Sequence, residues 1–224
     1  MNSPATLRID FVSDVSCPWC AIGLASLQQA LHNLEGEVTA QIHFQPFELN
    51  PQLAAEGEDS TEHLARKYGS SAQQIDANRE VIRERGAAVG FTFNMDRRSR
   101  VYNTFDAHRL LHWAALEGKE LALKQALLRA YFTDGEDVSD HDTLVRLTTS
   151  IGLDATQARQ ILADETYADE VRSQEQHYAS RGIQSVPATI VNDQHLISGG
   201  QAPEAFEQAL RQIAAMAKGV TTSA

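Results

Sequence analysis

The only two cysteines in this 224-residue chain stand in Cys17-Pro18-Trp19-Cys20. A pair so spaced admits few chemistries. As a structural staple it would gain little, because the unfolded-chain entropy that a disulfide removes grows with the loop it closes. As half of a zinc site it would need two further ligands. The chain holds no second C-x-x-C, so scattered histidines such as His177 and His195 would have to serve. What remains is an inert pair, a redox couple, or a descendant of a redox couple that has changed its task. Redox exchange fits the spacing best: one thiolate attacks a disulfide sulfur and the second thiol resolves the mixed disulfide. Neither a metal nor a bound cofactor is expected.

Exchange requires the two sulfurs to differ. Pro18 suits the first turn of a helix, where its missing N–H is no loss and its φ is preset. A helix starting there places both sulfurs near unpaired N–H groups and the positive end of the macrodipole, a field that favours thiolate over thiol. Cys17, just before the helix with its sulfur facing outward, is the expected nucleophile, and Cys20, one turn in, the resolving thiol. Trp19 cannot ionise; its indole covers the site and offers substrates an apolar contact. Far downstream, Ser185-Val186-Pro187 puts a proline at the entry of a strand-like run, where a lost N–H weakens a ladder. An edge strand would tolerate it. A cis Val186–Pro187 bond beside the dithiol would also account for it, leaving the Val186 backbone near Cys17 to pair with an extended substrate. Cys17 and Cys20 are thus the expected catalytic residues, and Pro18, Trp19, Val186 and Pro187 the substrate-binding ones.

The elements that must position these residues can be read from hydrophobic period. Residues 7–13 alternate and then turn fully apolar, as a strand entering a sheet does. Leu24, Leu27, Leu31 and Leu34 recur at helical steps, and residues 38–47 form a second strand, closing a β-α-β unit with parallel strands. From about residue 56 to about residue 180 helical periodicity dominates, and only Gly90-Phe91-Thr92-Phe93-Asn94 looks extended. Within that block one apolar stripe runs Val101, Phe105, Leu111, His112, Ala115, and another Leu123, Leu127, Ala130, Tyr131. Ser139 through Asp142 reads as a capping box, Asp154 with Gln157 as another helix start, and Gly135 and Gly152 as stops. Residues 184–192 and a strand around Leu196 and Ile197 form a hairpin through Asn192-Asp193-Gln194. Pro203-Glu204 opens a last helix with Phe206, Ala209, Leu210 and Ile213 on one face.

The order β-α-β, helical block, β-β-α predicts an α/β chain: a thioredoxin-like fold with a large inserted α-helical domain. Residues 1–55 and 181–218 would make the discontinuous thioredoxin-like domain, 56–180 the insertion and 219–224 a tail. A net charge of -11, from 19 basic and 30 acidic residues, repels phosphate backbones and argues against a nucleic-acid partner. No apolar run reaches the roughly 18 residues of a membrane span. Met1-Asn2-Ser3-Pro4-Ala5-Thr6 lacks the basic flank and apolar segment of an export signal, so a cytoplasmic location is expected. Nothing in the sequence sets an oligomeric state.

Taken together, Ser13-Asp14, Cys17-Pro18-Trp19-Cys20-Ala21-Ile22-Gly23, Ser185-Val186-Pro187 and Ile197-Ser198-Gly199-Gly200-Gln201-Ala202-Pro203-Glu204 resemble the DsbA-like family and, within it, the cytoplasmic FrnE-type branch. The likeness runs along nearly the whole chain. It implies a redox-active disulfide between Cys17 and Cys20, a cis-proline at Pro187, thiol- or disulfide-bearing protein or small-molecule substrates, and glutathione as a redox partner. Thioredoxin-like relatives often bury an acidic residue six positions before the first cysteine; here that position is Phe11, and Asp10 and Asp14 are the nearest carboxylates. Glutathione-dependent isomerases and kappa-type transferases of the same superfamily, which act on small aromatic substrates, carry a serine where Cys17 stands. A redox-sensing, chaperone-like peptide binder is the further alternative.

Overall fold

The computed structural model describes residues 4–54 and 56–221. In chain order the elements are β1 (Ala5–Ser13), α1 (Pro18–Asn33), β2 (Val38–Pro46), β3 (Glu58–Asp59), α2 (Ser60–Tyr68), α3 (Ala72–Ala88), β4 (Arg100–Val101), α4 (Phe105–Leu116) and α5 (Glu120–Arg129). A π-helical turn (Ala130–Asp134) follows, then α6 (His141–Ser150), α7 (Ala155–Ala163), α8 (Ala168–Ser180), β5 (Ala188–Val191), β6 (His195–Ser198) and α9 (Pro203–Thr221). No helix among the described residues is long and apolar enough to cross a membrane.

The main sheet has the order β2-β1-β5-β6. β1 pairs in parallel with β2, Ala5 opposite Val38 through Ser13 opposite Pro46, as a β-α-β unit demands. On its other side β1 runs antiparallel to β5, Ile9 opposite Val191 and Val12 opposite Ala188. A strand flanked on both edges and covered on both faces should lose its alternation, and Ile9 through Ser13 are all buried. Leu7, Ile9 and Phe11 share one core with α1 and α9, while Val12 packs with Tyr178, Ile183 and Ile190. The β5–β6 hairpin closes through Asn192 (φ 52°) and Asp193 (φ 58°), the left-handed pair that matches strand twist. Asn192 also donates its N–H to Arg8 O and accepts from Arg8 N, which moors the hairpin to β1.

α1 buries Leu24 and Leu27, and Leu34 caps its end, with Leu31 only partly covered. α9 buries Phe206, Leu210 and Ile213, with Ala209 at the margin. Residues 219–221, expected in a tail, continue α9, and 222–224 lie outside the described residues.

The helical block departs from its expected pattern in three places. α4 starts at Phe105, so Val101 belongs to β4 instead. The buried residues of α4 are Ala107, Leu110, Leu111, Trp113 and Ala114 with His108 and Arg109, while Ala115 is exposed and His112 partly so. Arg109 is buried because its guanidinium donates to the carbonyls of Ile161, Asp164 and Thr166 and pairs with Asp106, so a polar residue occupies a core position. Residues 90–94 pair with no strand. Phe91 and Phe93 instead join Phe132 in an aromatic cluster, Asn94 N–H donates to Phe132 O at 2.8 Å, and Thr133 donates to Thr92 O. The cap of α6 is Asp140, which accepts from Thr143 N; Ser139 donates to Asp137. Asp154 accepts from Gln157 N as expected, and Gly135 and Gly152 take left-handed φ.

Candidate active site

α1 begins at Pro18 with Cys17 as its N-cap in extended conformation, φ -92° and ψ 115°. The Cys17 carbonyl accepts from Cys20 N at 3.1 Å and Ala21 N at 3.4 Å, so the first turn closes around it. Both cysteines are free thiols, and they come within 3.4 Å of each other. Cys17 does not face open solvent as expected: it is 4% exposed and Cys20 0%, because Cys17 lines a groove whose far wall is α2 and α3. The Val186–Pro187 bond is cis. Cys17 Sγ–H lies 3.7 Å from the Val186 carbonyl oxygen, and Gly199 N–H donates to Pro187 O. Pro18, Trp19 and Val186 line the groove beside Cys17; Cys20 and Pro187 are not among its lining residues, Cys20 lying in the first turn of α1 and Pro187 against Gly23 of the same helix. The six residues singled out from sequence therefore meet in one place.

His177 meets the Tyr178 ring edge to face, and His195 sits in β6 opposite Val191. Among the described residues no group of three or more His, Cys, Asp or Glu is placed to hold a metal ion.

Behind the dithiol, Phe11 packs edge-on against Phe44. Asp10 is held by Arg8 and by Gln45. Asp14 accepts from Ser16 N and Oγ and from Leu49 N at 2.7 Å. Burial pushes the Cys20 thiol well above its ordinary range; Cys17 beside it adds to the shift, and Lys124 and the Asp14 backbone offset it only in part. Buried and protonated, Cys20 is chemically unlike Cys17.

Lys124 is a residue that the sequence reading missed. It is 0% exposed, its Nζ has no hydrogen-bond partner, and it lies 5.8 Å from the Phe44 ring centroid. Burial lowers its amine from the ordinary range against the opposing charges of Cys20, Asp14, Glu120 and Cys17. One turn earlier on α5, Glu120 accepts from Phe44 N at 2.9 Å, and burial pushes its carboxyl up to about 7. A signal existed: positions 124, 127, 128 and 131 follow one helical stripe, and all four residues are buried.

The groove encloses about 820 Å³. Its lining includes Lys67, Arg98 and Arg79, the last paired with Asp76 at 3.2 Å, against one lining carboxylate, Glu48, which Arg172 already pairs. Arg98 lays its guanidinium 5.0 Å from the Tyr131 ring, and its Nε is buried without a partner. A cationic groove on a chain of net charge -11 is a local reversal of sign. It is assembled from residues that no single motif joins.

A family model described as the DSBA-like thioredoxin domain matches residues 8–211. The YwbO protein of Bacillus subtilis is 27% identical over 210 residues, 92% of this chain and 96% of its own. A probable DsbA oxidoreductase of Streptomyces coelicolor is 36% identical with a TM-score of 0.86, over 92% of this chain and 89% of that structure. The cytosolic disulfide reductase DsbM of Pseudomonas aeruginosa, solved with GSH, shares the fold at 15% identity and a TM-score of 0.65, over 92% of this chain and 98% of its own.

Proposed function

This chain belongs to the DsbA-like thioredoxin-domain family, and from that premise we propose that it is a cytoplasmic thiol–disulfide oxidoreductase working through Cys17 and Cys20. The observation that carries the reading is the asymmetry of the pair. One sulfur lines the groove at a helix N-terminus, and the other lies within 3.4 Å, buried and protonated. Attack starts from the Cys17 sulfur as its thiolate, the nucleophilic form of a thiol. That thiolate attacks one sulfur of a substrate disulfide, and the other sulfur leaves as a thiol after taking a proton. Cys20 then loses its proton and attacks Cys17 Sγ, the mixed disulfide breaks, and the second substrate thiol departs. The substrate gains two electrons and the dithiol becomes a disulfide. The reverse sequence, with a thiol such as glutathione as reductant, restores it.

Two features bear on the substrate. Val186 presents its carbonyl edge beside Cys17, which suits an extended peptide. The cationic lining suits a small anionic disulfide, and the neighbouring DsbM structure was solved with glutathione. Cys17→Ser should abolish reduction of both insulin and glutathione disulfide. Turnover that survives this change removes thiol exchange as the mechanism and favours an isomerase-type use of the groove.

A further inference from the structure

We propose that Glu48 and Lys67 together receive an α-amino-acid head, its ammonium at Glu48 Oε1 and its carboxylate at Lys67 Nζ, so that the groove prefers small disulfides with free amino-acid ends. The inference rests on the exchange reading above and narrows its substrate class. Glu48 lines the groove from the segment that follows β2, and only 8% of it is exposed. Arg172 of α8 holds Oε2; the same nitrogen donates to Glu175 at 2.7 Å, and the guanidinium lies 3.8 Å from the Phe105 ring centroid. The carboxylate is thereby fixed in orientation, while its other oxygen, Oε1, has no hydrogen-bond partner. A buried acceptor left unpaired costs free energy that an incoming N–H recovers.

The next residue joins this carboxylate to the dithiol turn and to a cation. Leu49 N–H donates to Asp14 Oδ2 at 2.7 Å, and Asp14 in turn accepts from Ser16, the residue before Cys17. The Leu49 carbonyl accepts from Lys67 Nζ at 2.7 Å, as does Asn50 Oδ1. Among the described residues the ion-pair partner of Glu48 is Arg172, and Lys67 donates to neutral oxygens. Opposite charges that meet at one segment without pairing are complementary to a zwitterion, whose ammonium and carboxylate share one carbon. A simple anion would suit Lys67 and Arg98 but leave Oε1 unpaired, and a simple cation would suit Glu48 but oppose both cations. Burial raises the Glu48 carboxyl, Arg172 offsets this only in part, and an ammonium at Oε1 supplies the missing counter-charge. The groove volume of about 820 Å³ is that of a small-molecule site. The head group takes no part in the electron flow: the bonds made and broken are those of the exchange above.

Stopped-flow oxidation of the reduced protein by a set of symmetrical disulfides tests this. Cystine carries both charges on each half, dithiodipropionate lacks the ammonium, and cystamine lacks the carboxylate. Dividing each second-order rate constant by that of free dithiothreitol with the same disulfide removes differences in leaving-group acidity. On that scale wild type should favour cystine over each of the others by on the order of tenfold, as expected of one hydrogen bond to a charged group. Glu48→Gln keeps the side-chain volume and should bring the ratio of cystine to dithiodipropionate close to one; Lys67→Met should do the same to the ratio of cystine to cystamine. Circular dichroism melts check that both variants fold. The wild-type comparison needs no variant: equal normalised rates for cystine and dithiodipropionate, or for cystine and cystamine, overturn the proposal. A folded Glu48→Gln protein that keeps the full preference for cystine overturns it as well. If none of these disulfides oxidises the reduced protein, it is the exchange reading that fails.

Discussion

The Asp14 carboxylate and the His108 imidazole face each other at 3.6 Å, Oδ1 to Nε2, and both side chains are buried. The separation is longer than a hydrogen bond, so the histidine acts through space while Ser16 and Leu49 supply the direct donors. Burial alone would raise the Asp14 carboxyl. His108 and the N–H groups of Leu49 and Ser16 outweigh it and hold the group below the ordinary carboxylate range. A carboxyl lowered in the folded state lends stability above its unfolded value, and that contribution is lost as pH falls through the folded one. Asp14→Asn should therefore cost roughly 2 kcal/mol at pH 7, a gap that narrows below about pH 4. Urea titrations at pH 7 and pH 3 measure it, and an equal gap at both values contradicts the assignment.

The burial difference between the cysteines predicts distinct variants. With Cys20→Ser the groove-lining Cys17 still attacks, but nothing resolves the product, so a stable adduct with glutathione should accumulate and appear by intact mass. With Cys17→Ser the remaining thiol is fully covered and should form none. Equal adduct yields from both variants would mean that Cys20 is reached directly.

Gly200 holds the start of α1 against the loop that follows β6. A Cβ there would lie 2.8 Å from the Trp19 carbonyl oxygen, a backbone atom that cannot swing away. Gly200→Ala should cost about 1–3 kcal/mol by overpacking. It should also slow attack by Cys17, because Trp19 and the dithiol turn are what must move. A variant with a lower melting temperature but wild-type attack kinetics would place the strain elsewhere.

What could be read from sequence divides along local and nonlocal lines. β1, α1, β2 and α9 each carry their own period, cap or turn residues and fold as expected, as does the hairpin turn, but the first hairpin strand, expected over residues 184–192, is only Ala188–Val191 because it starts after Pro187, which has no N–H to give a ladder. The site residues Cys17, Cys20, Val186 and Pro187 are legible for the same reason, since each sits at an element boundary marked by proline. The stripe on α4 failed because Arg109 and His108 are buried by partners that lie far away in sequence, Arg109 through the carbonyls ending α7 and His108 opposite Asp14. Two-residue ladders such as β3 with β4 leave no periodic trace. Lys124 was hidden by its own chemistry: a lysine four residues after a glutamate reads as an exposed helical pair, and only the packing of α5 against β2 shows that Lys124 is buried and Glu120 half-buried.

The cationic groove gives the last prediction. Lys67 donates to Leu49 O and Asn50 Oδ1, so its charge is held in place without being neutralised. Arg98 is fixed by stacking on Tyr131 and Phe132. A disulfide that carries carboxylates should profit from both, and one without charge from neither. Lys67→Met should therefore raise KM for glutathione disulfide several-fold, consistent with a contribution of about 1 kcal/mol from a part-exposed ion contact, and leave kcat near wild type. Arg98→Met, removing the more enclosed charge, should raise it further. Neither change should alter KM for hydroxyethyl disulfide by more than about twofold, and added salt should shrink the difference between the two substrates in wild type. If both substrates weaken together, the cations shape the groove wall instead of recognising charge.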